Sequence, residues 1–317
     1  TLGVGTIAQA RRPNIIILMP DQMRGQAMGV AGNPDVQTPQ MDRLAAGGVY
    51  LPNFVANSPV CCPARATILT GLYPHGHGVL VNDLRLRDEA ISMAEVLGDV
   101  GYATGFIGKW HLDGGQRQPG FIPPGPRRQG FQFWAANSCD HRHFDSHYYH
   151  DTDRKIPIDK FEPEIWMDEA LRFVRDNREK PFFLWWTCGP PHNPYVAPKE
   201  YLDRYHADKL TMRPNWQPLE RHGMREDIAN YYAMITAIDD QIGRLLDELD
   251  TLDLAEDTII LFTSDHGDML GSHGLPLKTK PWEESIIVPG IIRYPRKIKA
   301  GQTSDLLISH VDIMQSA

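Results

Sequence analysis

Residues 58–71 read SPVCCPARATILTG, two adjacent cysteines followed by Pro63, Arg65 and an apolar run. Proline is at home in a first helical turn. The run therefore predicts a helix through Ala64–Leu69 with Cys61 at its N-terminus. At that position the backbone amides and the helix dipole attract anions and lower a thiol's pKa. Arg65 lies one turn along, placed to hold a charged group. By residue type alone a cysteine is a small buried apolar residue, and a disulfide between chain neighbours is strained. Cys62 reads as packing, whereas Cys61 stands between packing and chemistry.

A second set of chemically capable residues follows four apolar runs. Asp21-Gln22 follows PNIIILM (13–19), and Gly108-Lys109-Trp110-His111 follows ATGFI (103–107). Cys188-Gly189-Pro190-Pro191-His192 follows FFLWWT (182–187), and Asp265-His266-Gly267-Asp268 comes just after TIILFT (258–263). The donors Asp21, Gln22, Asp265 and His266 are mostly oxygens, which suit calcium, magnesium or manganese better than zinc. One acid alone reads as a helix cap or a turn. The set together reads as a metal site.

The four runs are short, continuous and β-branched or aromatic, as buried parallel strands are. Helical patterns alternate with them at 92–100, 165–177 and 227–252. In the last, Ile228, Tyr231, Ile235, Ile238, Ile242, Leu245 and Leu249 recur at three and four. The alternation predicts an α/β fold, a mostly parallel central sheet with helices on both faces. Ligands of such sheets bind beyond the carboxyl ends of the strands, which is where the acids, histidines and lysine fall. The segment 113–159 breaks the rhythm and reads as a long excursion over the sheet edge. Within it, HRHFDSHYYHD carries His141, His143, His147 and His150 with Asp140, Asp145 and Asp151. It reads as a surface or substrate loop more readily than as a second metal site. His75 and His77 in YPHGHGV read as turn residues or as lining of the site.

The composition narrows the function classes. The 317 residues carry a net charge of −8, 42% hydrophobic and 23% charged residues, with no basic block. Nucleic acid and anionic membrane surfaces are poor partners for such a chain. No apolar run reaches the roughly 20 residues of a membrane span. Four cysteines without regular spacing make neither a disulfide scaffold nor a zinc finger, so Cys139 and Cys188 read as free thiols rather than a pair. TLGVGTIAQA (1–10), ending Ala8-Gln9-Ala10, reads as a signal-peptide remnant or a disordered start. The first reading implies a periplasmic or secreted protein beginning near Arg11. SDLLISHVDIMQSA ends inside a helical pattern, so the natural chain is expected to continue.

Cys61-Cys62-Pro63-Ala64-Arg65 through Leu69-Thr70-Gly71 resembles the signature of type I sulfatases in the alkaline-phosphatase-like superfamily. Asp21-Gln22, Gly108-Lys109-Trp110-His111, Pro191-His192, Asp265-His266-Gly267 and Lys278 through Glu284 match that family in order, across nearly the whole chain. The resemblance implies a catalytic domain over 11–317, shortened at its C-terminal end, with a smaller C-terminal subdomain missing. It implies that a maturation enzyme converts Cys61 to formylglycine, whose hydrate serves as nucleophile toward sulfate esters. It further implies a divalent metal, calcium first with manganese and magnesium as alternatives, held by Asp21, Gln22, Asp265, His266 and converted Cys61. Arg65 would position formylglycine, and Lys109 and Lys278 would neutralise sulfate. His111 would take the hydrate's proton as sulfate leaves, and His192 would protonate the leaving oxygen. Lys278 is preferred to Lys280 because Trp282-Glu283 follows it at the family's spacing. Gln22 and His266 depart from the family's frequent Asp and Asn, which lowers the ligand charge. Relatives acting on phosphonate monoesters or phosphodiesters share the Cys-Cys-Pro-x-Arg pattern. A third reading is a non-catalytic sulfoglycan-binding protein with Cys61 unmodified.

Overall fold

The computed structural model describes residues 12–218 and 223–316; the 1–10 segment with Ala8-Gln9-Ala10 lies outside them. Among the described residues the strands are β1 (Asn14–Pro20), β2 (Val49–Tyr50), β3 (Phe54–Val55), β4 (Ala103–Lys109), β5 (Phe133–Asn137) and β6 (Ser146–Tyr148). They continue as β7 (Ile156–Ile158), β8 (Phe182–Cys188), β9 (Thr258–Phe262), β10 (Ile291–Arg293), β11 (Gln302–Thr303) and β12 (Ile308–Ser309). Eight of them form one sheet in the order β11-β2-β10-β9-β1-β8-β4-β5. The inner pairs β9–β1, β1–β8, β8–β4 and β4–β5 are all parallel, and only β10 runs against its neighbours.

The centre of the sheet is buried on both sides because its side chains alternate faces. Ile16, Leu18, Leu184, Trp186, Ile260 and Phe262 pack with the helices Pro39–Ala46, Glu162–Asn177 and Met224–Thr251. Ile15, Ile17, Met19, Phe183, Trp185 and Leu261 pack on the other face with the helices Cys61–Thr70 and Met93–Asp99. That explains why the runs read as continuously apolar. The helix Met93–Asp99 starts in a capping box, with Ser92 and Glu95 each taking the other's backbone amide.

Two expectations need amendment. The 113–159 segment is no mere excursion: β5 extends the sheet beside β4, and β6 pairs antiparallel with β7. Its strands are short, β6 carries Ser146 and His147, and β7 is interrupted by Pro157, which hid them from a hydrophobic pattern. The helical reading from Ser304 holds only for the end. Ile308–Ser309 pairs with β3, and the helix begins at Val311. Among the described residues no helix is long and apolar enough to cross a membrane.

Candidate active site

Cys61 opens the helix Cys61–Thr70, whose residues are all buried and whose first turn contains no acid. The positive end of that helix therefore meets no neutralising side chain of its own. Sγ of Cys61 lies 3.8 Å from Asp21 Oδ1 and 3.2 Å from His266 Nε2. His266 Nδ1 donates to the Gly267 carbonyl at 3.0 Å. That bond aims the other ring nitrogen, with its lone pair, at the centre. Nε2 stands 3.5 Å from Asp21 Oδ1 and 3.7 Å from Asp265 Oδ1.

The two carboxylates are fully buried, which is tolerable only with paired charge. Arg65 spans them, Nε donating to Asp265 Oδ2 at 3.1 Å and Nη2 to Asp21 Oδ2 at 3.2 Å. Its Nη1 donates to the Lys109 carbonyl. Lys109 Nζ donates to Asp21 Oδ2 at 2.6 Å. Burial works to raise the Asp21 pKa, but Lys109, His192, Lys278 and Arg65 together hold it well below the carboxylate range. Cys61 follows the same logic. Burial and Asp21 oppose ionisation, yet Lys278, Lys109 and His266 bring the thiol well below its ordinary value.

Gln22 sits in left-handed backbone, φ +67. Its amide donates to Asp265 Oδ1 at 3.0 Å, and its Nε2 donates to Asp268 Oδ2 at 2.7 Å. Asp268 thus turns the side-chain oxygen of Gln22 toward Lys278, whose Nζ donates to it at 2.7 Å and to Cys61 Sγ at 3.3 Å. Lys278 is therefore the lysine that reaches residue 61, while the backbone amide of Lys280 donates to Ser285. Asp21, Cys61, Asp265 and His266 each offer a donor atom, all within 4.8 Å of one another. Two carboxylates, an oriented imidazole and the nearby amide oxygen of Gln22 fit a hard divalent cation.

Lys109 and His111 reach this centre through Gly108. Its φ is +107, and a Cβ there would lie 1.9 Å from the Thr187 carbonyl oxygen, so only glycine serves. His192 is buried, and its Nδ1 donates to the Asn193 carbonyl at 2.6 Å. Burial, Lys278 and Lys109 depress its pKa well below the usual imidazole value.

Several participants were not read from the sequence as part of the site. The His141 ring stacks on His192 with centroids 4.3 Å apart. His143 donates from Nε2 to the His192 carbonyl at 2.7 Å, and its Nδ1 faces Glu162 Oε1 at 3.1 Å. Cys139 is brought down to about 5: burial opposes ionisation, while Lys109 and the neighbouring His111 and His141 rings favour it. Asp83 meets His111 at 3.2 Å. The HRHFDSHYYHD pattern pointed to the histidines without assigning them, and nothing in the sequence marked Asp83. His147 bonds Tyr149, and His150 Nδ1 donates to the Trp134 carbonyl, so both serve the fold. His77 is buried, bonding Thr67 and the Val79 amide, whereas His75 stacks on Tyr73. All four cysteines are free.

The sulfatase family model matches residues 13–317, and the chain belongs to that family, within the alkaline-phosphatase-like superfamily. It is 40% identical over 312 residues to an ulvan-active sulfatase of Formosa agariphila, covering 96% of this chain and 61% of that one. An endo-4-O-sulfatase of Bacteroides thetaiotaomicron is 32% identical, with 96% of this chain and 68% of that one covered. A solved structure from Bacteroides fragilis superposes with TM-score 0.91 at 32% identity, covering 98% of this chain and 74% of that one.

Proposed function

We propose that the protein hydrolyses sulfate monoesters on a saccharide. The observation that carries this is the convergence of Asp21, Asp265, His266, Lys109 and Lys278 on a single acidified residue, Cys61. In this reading Cys61 Sγ stands where an oxygen of formylglycine sits after a maturation enzyme has acted. Asp21, Asp265, His266, Gln22 and residue 61 would hold a divalent cation, calcium before manganese or magnesium. Bound together, the metal and the converted residue supply a nucleophile that a thiol or serine cannot replace.

The remaining residues bind, orient and move protons. Arg65 fixes both carboxylates and, through the Lys109 carbonyl, the end of β4. Lys109 and Lys278 present ammonium groups to the sulfate oxygens, an attraction that strengthens as charge develops on them. An incoming sulfate, itself anionic, offsets the two lysines that depress His192. The imidazole then gains the proton it gives to the leaving oxygen. His111, whose ring lies beside residue 61, accepts a proton as sulfate departs.

The names of the ulvan-active and endo-4-O relatives support a saccharide substrate. This chain spans 61% of the length of the first of them, so the substrate is assigned here as a class. The same reading sets the protein in the periplasm or outside the cell. The test is sulfate release from a panel of defined sulfated saccharides by matured, calcium-loaded protein, with an aryl phosphonate alongside. Release from at least one saccharide, abolished by Cys61→Ala and faster than phosphonate cleavage, is expected. Faster phosphonate cleavage, or no sulfate release at all, contradicts the proposal.

A further inference from the structure

We propose that Asp83 is the positioning residue that fixes the tautomer of His111, keeping Nδ1 free as the proton acceptor for residue 61. The inference rests on the sulfatase reading for what residue 61 becomes. His111 follows β4 in left-handed backbone, φ +56, and its amide donates to the Ser138 carbonyl at 2.6 Å. Nε2 of the ring lies 3.2 Å from Asp83 Oδ1. An ionised carboxylate only accepts, so Nε2 carries the proton. Nδ1 is buried with no hydrogen-bond partner. A buried polar atom without a partner is costly, and such atoms in native proteins call for a functional reason. The thiols of Cys139, Cys61 and Cys62 lie beside the ring: burial works against a charge on it, but those thiols raise its pKa well above the usual imidazole value, and conversion of Cys61 removes one of them.

The segment that carries Asp83 is tied to the helix that carries Cys61. The Asp83 amide donates to Cys62 Sγ at 3.3 Å, and Asn82 Oδ1 accepts from the Cys62 amide at 2.9 Å. Arg117 grips the carboxylate from the outside, with Nε and Nη2 each 3.1 Å from an oxygen. Burial works against the charge of Asp83, but hydrogen bonds from Arg117 and His111 hold its carboxyl below the usual range. The carboxylate is thus ionised and aimed, as a residue that orients a base must be.

The step it serves is the release of sulfate. A hydroxyl of residue 61 gives its proton to Nδ1, and the O–H electron pair closes the carbonyl. The bond from residue 61 to the sulfate oxygen breaks, and its pair leaves with sulfate. The imidazolium formed faces Asp83 and later returns its proton to water. Since the alcohol has already departed, Asp83 acts on the second half of the cycle only.

The test uses matured, calcium-loaded protein and the variants Asp83→Asn and Asp83→Ala. The ratio kcat/KM reports steps through loss of the alcohol, whereas kcat includes release of sulfate. The expected result is a fall in kcat of about 30-fold with kcat/KM within about twofold. Sulfur-35 from labelled substrate should stay on the quenched variants and not on the wild type. Equal falls in both constants, as a structural role would give, or no retained label, would overturn the proposal. Nitrogen-15 NMR of histidine-labelled wild type reads the tautomer whether or not the variants fold. The Nε2–H form is expected at His111, and the Nδ1–H form refutes the assignment. A matured wild type that releases no sulfate from any substrate counts against the sulfatase reading, and the NMR result then decides the Asp83 contact alone.

Discussion

The floor and the wall of the site are built differently. The floor consists of Asp21, Asp265, His266, Arg65 and Lys109, all buried; Arg65 and Lys109 are joined to the two acids by charge-assisted bonds of 2.6–3.2 Å, and His266 Nε2 stands 3.5 and 3.7 Å from them. It stands on strand ends and on one helix. The wall consists of His141, His143 and His192, carried by loops and held by ring stacking and by bonds to backbone carbonyls. A floor of this kind serves the group every substrate shares, while a wall of loops meets the part that varies.

Three substitutions sharpen that contrast, in falling order of effect. Asp21→Asn strips a partner from Arg65 and Lys109 and an anionic donor from the proposed metal site. It should lower kcat/KM by roughly 10³-fold on every sulfated substrate alike, measured as sulfate release across the panel. A loss confined to some substrates would place Asp21 with the wall. His141→Ala removes the ring stacked on His192. It should cost about 10-fold in kcat/KM on saccharide sulfates, whose alcohol needs a proton, and little on nitrophenyl sulfate, whose phenolate leaves unaided. Equal losses on both would assign His141 to general packing.

The third concerns stability and lies behind the floor. Burial first, then His75 and Arg87, lowers the His77 pKa to about 4 from an ordinary 6.5. A depressed histidine contributes stability that is complete above the unfolded pKa and is lost as pH falls toward the folded one. Wild type should therefore lose about 1–2 kcal/mol from this group, screened by solvent, as pH falls from 6.5 to 4. His77→Gln, lacking the titration, should show a shallower acid limb in urea unfolding. Parallel limbs would mean that His77 is solvated in the folded protein.

The same contrast explains what the sequence made legible. A central strand is apolar on both faces, so PNIIILM and FFLWWT announced themselves, and the parallel order then set Asp21 and Asp265 on one rim. Cys61 and Arg65 were legible because a helix fixes their spacing. Asp21, Asp265 and His266 lie together with Cys61, as the strand ends implied. β5 was missed because its strand is short and lies inside a polar, proline-rich stretch. Asp83 was missed, and His141 was named without its partner, for a different reason. Their partners, His111 and His192, lie 28 and 51 positions away along the chain. Loops carry no periodicity that reports such a meeting.

The central claim is that Cys61 is converted to the residue on which the floor converges. Mass spectrometry of the tryptic peptide 44–65, prepared from protein made in a host with an active maturation system, tests it most directly. The account predicts that Cys61 has lost its sulfur and gained an aldehyde oxygen while Cys62 keeps its thiol. An intact thiol at Cys61 in that protein, or conversion at Cys62 instead, would contradict it.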